Sequence, residues 1–214
     1  MLYYLNPGFM LVAFLASIAL FFQRQTRYLK LFPYFLLLNV VAEAIEDYLA
    51  FHFKSNLFII NPFTVLTFCF YFFVLYQIIN NPAVRRVIIW LLCLYPLAAF
   101  INIFFIQGMG VFHTVTYSIG CLLVAAICIF YFLELFQLPH SVNLMRQPAF
   151  WICSGLLFYF SCSFPIYGFN SYLEHHADKV TIRHLIILLT LLNVFLYSSF
   201  TIAFLCRLRT RKSM

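Results

Sequence analysis

Apolar residues fill this chain in seven runs, each separated from the next by a short patch of polar or turn-forming residues. A helix needs about 20 mostly apolar residues to cross a bilayer, and runs of that order lie at about 8 to 23, 31 to 53, 57 to 79, 86 to 106, 112 to 136, 149 to 169 and 184 to 206. The breaks read QRQTRYLK, FKSN, NNPAVRR, QGMG, QLPHSVNLMRQP and NSYLEHHADKVTIR, where Pro, Gly, Asn and charge interrupt the pattern. This predicts an all-α integral membrane seven-helix bundle, a single domain over residues 1–214 with no space for a soluble domain of useful size. Loops this short should make consecutive helices antiparallel neighbours. Pro33, Pro62, Pro96 and Pro165 fall within or at the ends of spans, and Pro96, near the middle of the fourth, is the expected kink.

Composition agrees with the pattern: 65% of residues are hydrophobic and only 9% charged, against about a quarter charged in soluble domains. Mean hydropathy is +0.97. The 29 Phe and 14 Tyr read as lipid-facing and interhelical packing surfaces. The start, MLYYLNPGF, has neither a basic leader nor a small-residue cleavage site, so the first run is expected to be a retained helix.

Charge adds orientation. Arg24, Arg27, Lys30, Arg85, Arg86, Arg146, Arg207, Arg209, Arg211 and Lys212 belong to one side of the predicted topology, and only Lys54, Lys179 and Arg183 to the other. By the positive-inside rule the N-terminus is outside and the C-terminus cytoplasmic. The net charge of +7 is spread over short loops and the tail, which points to anionic lipid headgroups and not to nucleic acid. All seven cysteines, Cys69, Cys93, Cys121, Cys128, Cys153, Cys162 and Cys206, fall within spans or at a span end, and no CxxC pair occurs, so they read as small packing residues.

Candidate chemistry concentrates in the second span, where VVAEAIEDYL places Glu43, Glu46 and Asp47, half of the six acidic residues. Ionisable groups inside a membrane span face a protein interior or a wet cavity. At roughly 100° per residue, Asn39, Glu43, Glu46 and Ala50 share one helical face, with Asp47 at its margin. Counting about 1.5 Å per residue from Lys30 puts Glu43 about 20 Å deep and Asp47 about 25 Å deep, in the outer third of the membrane. Other polar residues fall at that level: Asn61 in the third span, Asn102 in the fourth, His113 and Tyr117 in the fifth and His184 in the seventh; His52, His175 and His176 lie slightly further out. The expected site is therefore an outer pocket lined by Glu43, Glu46, Asp47, Asn39, Asn61, Asn102, His113 and His184, for a small polar ligand, a cation or protons. Three carboxylates so close cannot all stay ionised unless a base such as Lys54 or Arg183 reaches them. The competing reading is interhelical hydrogen-bonding glue.

Neither a catalytic nor a metal motif stands out. There is no HxxxH or HExxH spacing; a zinc site assembled from His52, Asp47, His113 and His184 is the only metal alternative, and no cofactor or catalytic residue is assigned. Glu134 is expected to pair with Arg146 or Arg207. Asn193, Ser198 and Ser199 are expected to make interhelical contacts, and Trp90 and Trp151 to anchor the cytoplasmic boundary.

Two seven-helix families are set aside on their motifs. The seventh span, HLIILLTLLNVFLYSSFTIAFLC, has no lysine for a retinal Schiff base, and the paired Pro-Gln signature of seven-helix sugar transporters is missing. The stretches FIQGMGVFHT (105–114), YFLELF (131–136) and QPAFWICSGLLFYFSCSFP (147–165), with Pro148, Phe150, Trp151, Gly155 and Pro165, resemble a group of small bacterial seven-helix membrane proteins. Proteins of that group are similar to sensory modules found beside, or joined to, sensor histidine kinases. The resemblance implies a multi-pass protein of the bacterial inner membrane with an input role in signalling. Its partners would be the lipid bilayer and a sensor histidine kinase or other membrane signalling protein, and homo-oligomers are compatible with it. No kinase domain is present in the chain, so output would pass through a partner. The expectation is a non-enzymatic sensor or signalling accessory; the alternative is a small transporter or ion/proton carrier using the same acids.

Overall fold

A computed structural model describes residues 5–21, 26–53, 56–137, 144–169 and 178–212. Arg24, Lys54, His140, His175 and His176 lie outside the described residues, as do the side chains of Lys179, Arg207, Arg209, Arg211 and Lys212. The described chain is all-α. Helix α1 covers Leu5–Phe21, α2 Arg27–Phe53, α3 Leu57–Ile78, α4 Pro82–Ile101, α5 Thr114–Phe136, α6 Pro148–Gly168 and α7 Lys179–Lys212.

Six of these helices are long and apolar enough to cross a membrane. The exception is α1, 17 residues long, or about 25 Å against the ~30 Å of a hydrocarbon core. Large apolar side chains cover the outside of the bundle, among them Leu15, Leu37, Leu94, Leu122 and Leu191. An exterior of this kind needs lipid around it.

Helix limits follow from local chemistry. The Asn81 side-chain oxygen accepts from the amides of Ala83 (2.9 Å) and Val84 (3.3 Å), and Pro82 occupies the first helical position, where its missing N–H costs nothing. Pro148 starts α6 in the same way. After Ile101 the chain widens into one π-helical turn, Asn102–Ile106, closed by Gln107 N–H donating to the Asn102 carbonyl at 2.8 Å. Gly108 then takes φ +83°, a left-handed conformation open mainly to glycine, and the chain turns back toward α5.

Helix order around the bundle departs from chain order at one place. α1 packs between α2 and α7, α2 meets α3, α3 meets α5, α5 meets α6 and α6 meets α7, which closes a ring of six helices. α4 sits outside this ring, held mainly against α3 and only lightly against α5. The expectation that all consecutive helices are close neighbours therefore fails at α4 and α5. The π turn and the Gly108 bend lead the chain around the end of α4 and let α5 dock directly on α3.

One half of the ring is filled with aromatic rings. Phe32 stands edge-on to Phe70, Phe200 and Phe204 at 5.2, 5.3 and 5.4 Å between centroids, and Phe35 stacks on Phe70 at 3.8 Å. Phe68, Phe72, Tyr71 and Phe160 extend the cluster. Such pairs contribute about 0.5–1.5 kcal/mol each beyond burial of area. Between α6 and α7 the backbones approach closely at Gly155, where a Cβ would stand 2.8 Å from Ser199 Cβ; small residues at such crossings are a usual route to helix contact in lipid.

Candidate functional site

The other half of the ring is not filled. A central cavity of about 330 Å³ lies among the six ring helices, and α4 contributes nothing to its wall. It reaches the level of Asn6 in the first turn of α1 and ends on Phe68, Tyr71 and Phe160, the upper edge of the aromatic cluster.

Three residues of α2 enter it: Asn39, Glu43 and Glu46. Their spacing sets one face of the helix toward the ring interior, as the 3.6-residue period dictates. Asn39 is buried and donates from Nδ2 to the Phe35 carbonyl at 2.7 Å. Glu43 and Glu46 are half-buried and near enough to each other to interact electrostatically. Glu43 Oε2 is buried without a hydrogen-bond partner, and so is Asn6 Oδ1, another residue of the cavity wall. Asp47 is exposed and does not line the cavity; Ala50 is exposed as well.

The remaining polar residues expected in an outer pocket divide differently. His184 is exposed on α7. His113, Asn102 and Asn61 are buried, but in a separate network where α3, α4 and α5 meet. The His113 ring nitrogens lie 2.7 Å from Thr64 Oγ1 and 2.7 Å from Thr116 Oγ1. Asn102 Nδ2 donates to Gln107 Oε1 (2.6 Å) and Thr116 Oγ1 (3.2 Å), and Gln107 Nε2 donates to Thr114 Oγ1 (3.0 Å). Tyr95 adds a hydroxyl donated to the Thr116 carbonyl at 3.3 Å. Asn61 Nδ2 donates to the Val111 carbonyl at 3.0 Å, and its residue borders a second, apolar cleft of about 330 Å³ between α3 and α4. This network pins the π turn and the start of α5 to α3. It touches the central cavity only through Thr64, which lines it.

His113 lies in the connection ahead of α5, outside the helices on either side. Its ring is fully buried, and burial lowers its pKa to about 4, with a hydrogen bond donated to the Asn61 backbone opposing that shift. It is neutral at neutral pH, as a hydrogen-bonding ring between two hydroxyls should be.

Apart from Tyr117, which the sequence sets at the level of the acids, the sequence reading missed the main wall material. Tyr71, Tyr117, Tyr159, Tyr167 and Tyr197 all line the cavity. Tyr117 and Tyr167 stand 4.3 Å apart between centroids, and Tyr197 is close enough to Glu43 for their charges to interact. The available signal was position: Tyr71, Tyr159 and Tyr197 sit well inside spans, away from the interfacial belts where amphipathic rings usually collect.

Glu134 does other work. Its oxygens accept from the backbone amides of Asn81 (2.8 Å) and Asn80 (3.2 Å), so it ties α5 to the start of α4 in place of the expected pairing with Arg146. Arg85 lies over the Tyr76 ring, 4.4 Å from its centroid. Trp151 Nε1 donates to the Met145 carbonyl at 3.0 Å. Among the described residues no three His, Cys, Asp or Glu side chains gather at a common point; of the four considered for zinc, His113 is committed to its threonines and Asp47, His52 and His184 are exposed on the surface.

The arrangement offers an aromatic-walled space, open on one side, with two carboxylates and, among the described residues, no Lys, Arg or His in its lining. Its described lining offers hydrogen-bonding and aromatic surfaces to a ligand. Comparison with known proteins returns no matching family model, no matching curated protein and no matching solved structure.

Proposed function

We propose that this chain is a non-enzymatic membrane sensor or signalling accessory that receives a small ligand in its central cavity. In this reading α1 is a seventh span, the N-terminus is outside and the C-terminal tail is cytoplasmic, in the inner membrane of a bacterium. The ten-to-three division of basic residues supports the orientation. The place of α1 in the ring, between two long apolar helices, supports the seven-span count, because a helix sharing that wall shares its lipid surroundings.

The observation that carries the proposal is the blind central cavity. It presents Glu43 and Glu46 at one end of the bundle and stops on a packed aromatic floor at the other. A ligand held there touches six helices at once and can favour one arrangement of the ring over another, which is the thermodynamic requirement for a signal. Output would pass through the basic cytoplasmic loops and tail to a membrane partner, a sensor histidine kinase being the class suggested by the resemblance of residues 147–165.

The second reading, a small carrier using the same acids, needs a path through Phe32, Phe72, Phe200 and Phe204, all fully buried. Two measurements separate the readings. Co-reconstitution with a membrane histidine kinase is expected to change kinase autophosphorylation, and Glu43→Gln to alter that change. Flux of protons or solute in proteoliposomes, abolished by Glu43→Gln, would overturn the sensor reading in favour of a carrier. A C-terminal fluorescent fusion is expected to fluoresce, as a cytoplasmic tail requires.

A further inference from the structure

The atoms left over in the central cavity say what is missing from it. Glu43 Oε2 and Asn6 Oδ1 are buried and unpartnered, and both are acceptors. Glu43 and Glu46 interact electrostatically, yet among the described residues no basic side chain lines the cavity. A pair of carboxylates in such surroundings calls for a compensating positive charge. The remaining wall includes the aromatic rings of Tyr71, Tyr117, Tyr167 and Tyr197, and such rings also favour a cation.

An occupant must therefore bring positive charge, hydrogen-bond donors and an apolar body. A bare metal ion satisfies the first condition but wants oxygen ligands on most sides, and most of this wall is carbon. An anion would meet two carboxylates with no described basic side chain in the lining to offset them. A cavity of about 330 Å³ lies at the lower end of the range for small-molecule sites, roughly 300–1,000 Å³, which suits a monoamine and is too small for a peptide.

We propose that the cavity binds a small protonated amine with an aromatic or apolar body. The ammonium N–H groups donate to Glu43 and Glu46 and to the free oxygen of Asn6, and the body lies against the tyrosine faces. This rests on reading the cavity as the ligand-receiving site of a membrane protein, and it names the class of ligand.

The test uses the full chain in nanodiscs, titrated by calorimetry against four probes of similar size, with empty nanodiscs subtracted: 2-phenylethylamine, 2-phenylethanol, 3-phenylpropionate and benzyltrimethylammonium. The amine is expected to bind at least about tenfold more tightly than the alcohol, the carboxylate not at all, and the quaternary ion several-fold more weakly than the amine because it has no N–H to donate. Glu43→Gln is expected to weaken the amine about tenfold and to leave the alcohol unchanged. Equal binding of amine and alcohol, tighter binding of the carboxylate, or no binding of any probe would overturn the proposal. So would a quaternary ion that matches the amine. Should Glu43→Gln fail to fold, the ranking of probes on the unaltered protein decides the matter, and Glu46→Gln repeats the charge test. Failure here is separable from failure of the sensor reading: amine binding accompanied by amine flux overturns the sensor and keeps the site, whereas kinase coupling without amine binding does the reverse.

Discussion

Two buried polar regions lie near the same end of this bundle, and they are put together in opposite ways. Around His113 most polar atoms are matched: both ring nitrogens, the hydroxyls of Thr64, Thr114 and Thr116, and the amide NH2 groups of Asn102 and Gln107 meet partners across α3, α4 and α5, and among the described residues only the side-chain oxygens of Asn61 and Asn102 are left over. Around Glu43 the acids face open space, one carboxylate oxygen has no partner, and the neighbours are rings. A satisfied network fixes a structure, and an unsatisfied one in a cavity is prepared for something else to complete it. The polarity of a residue inside a membrane protein thus says little about its role until its partners are known.

The largest expected effect tests the matched side. His113→Ala removes a fully buried ring and leaves the hydroxyls of Thr64 and Thr116 without it, so unfolding in detergent should be easier by about 2–4 kcal/mol. A loss under about 0.5 kcal/mol would mean that the network is not what holds α5 to α3.

Acid should weaken the same network. The folded His113 pKa is near 4, against 6.5 for the free side chain. A base with a depressed folded pKa stabilises the fold fully above the unfolded value, and that stability is lost as pH falls toward the folded one. Thermal stability is therefore expected to decline between about pH 6.5 and 4 by more in the unaltered protein than in His113→Gln, a comparison that cancels the carboxylates common to both.

Much of the first-order picture was legible in the sequence. Six long spans could be read from apolar runs because lipid demands nearly continuous hydrophobicity, and the placement of Asn39, Glu43 and Glu46 on one face needed only helical geometry. The ring order was not legible, since a short loop fixes which helices are adjacent in sequence but not that α5 docks on α3 while α4 stands outside. Depth misled in the case of His113, Asn102 and Asn61: the count along the chain put them at the level of the acids, but rotation of α5 and the π turn aim them into an interhelical joint. Tyr71, Tyr159, Tyr167 and Tyr197 were hidden by abundance, because in a chain this aromatic one ring looks like another.

A smaller effect is expected at Glu134, which lies between the two regions in character. Glu134→Ala strands the amides of Asn80 and Asn81 in the connection ahead of α4, a cost of about 1 kcal/mol by analogy with the loss of a helix cap. Denaturant unfolding should show it, and amine affinity should not change.

The smallest effect on stability is the sharpest for the comparison. Glu43→Gln removes a charge that no described basic side chain in the cavity lining offsets and whose Oε2 has no hydrogen-bond partner among the described residues, so stability should stay within about 0.5 kcal/mol or rise. A drop as large as that of His113→Ala would make the acids interhelical glue, and the contrast between the two regions would collapse.

The aromatic floor has an electrical consequence. Where one half of a bundle holds a polar cavity and the other half is packed hydrocarbon, the membrane voltage falls chiefly across the packed half. A full crossing costs about 2.3 kcal/mol per elementary charge at 100 mV, but a cation that stops above Phe68, Tyr71 and Phe160 crosses little of that drop. Occupancy of the cavity should therefore follow ligand concentration on its open side and be nearly blind to the energised state of the membrane, a separation of chemical from electrical information that a conducting path would forfeit.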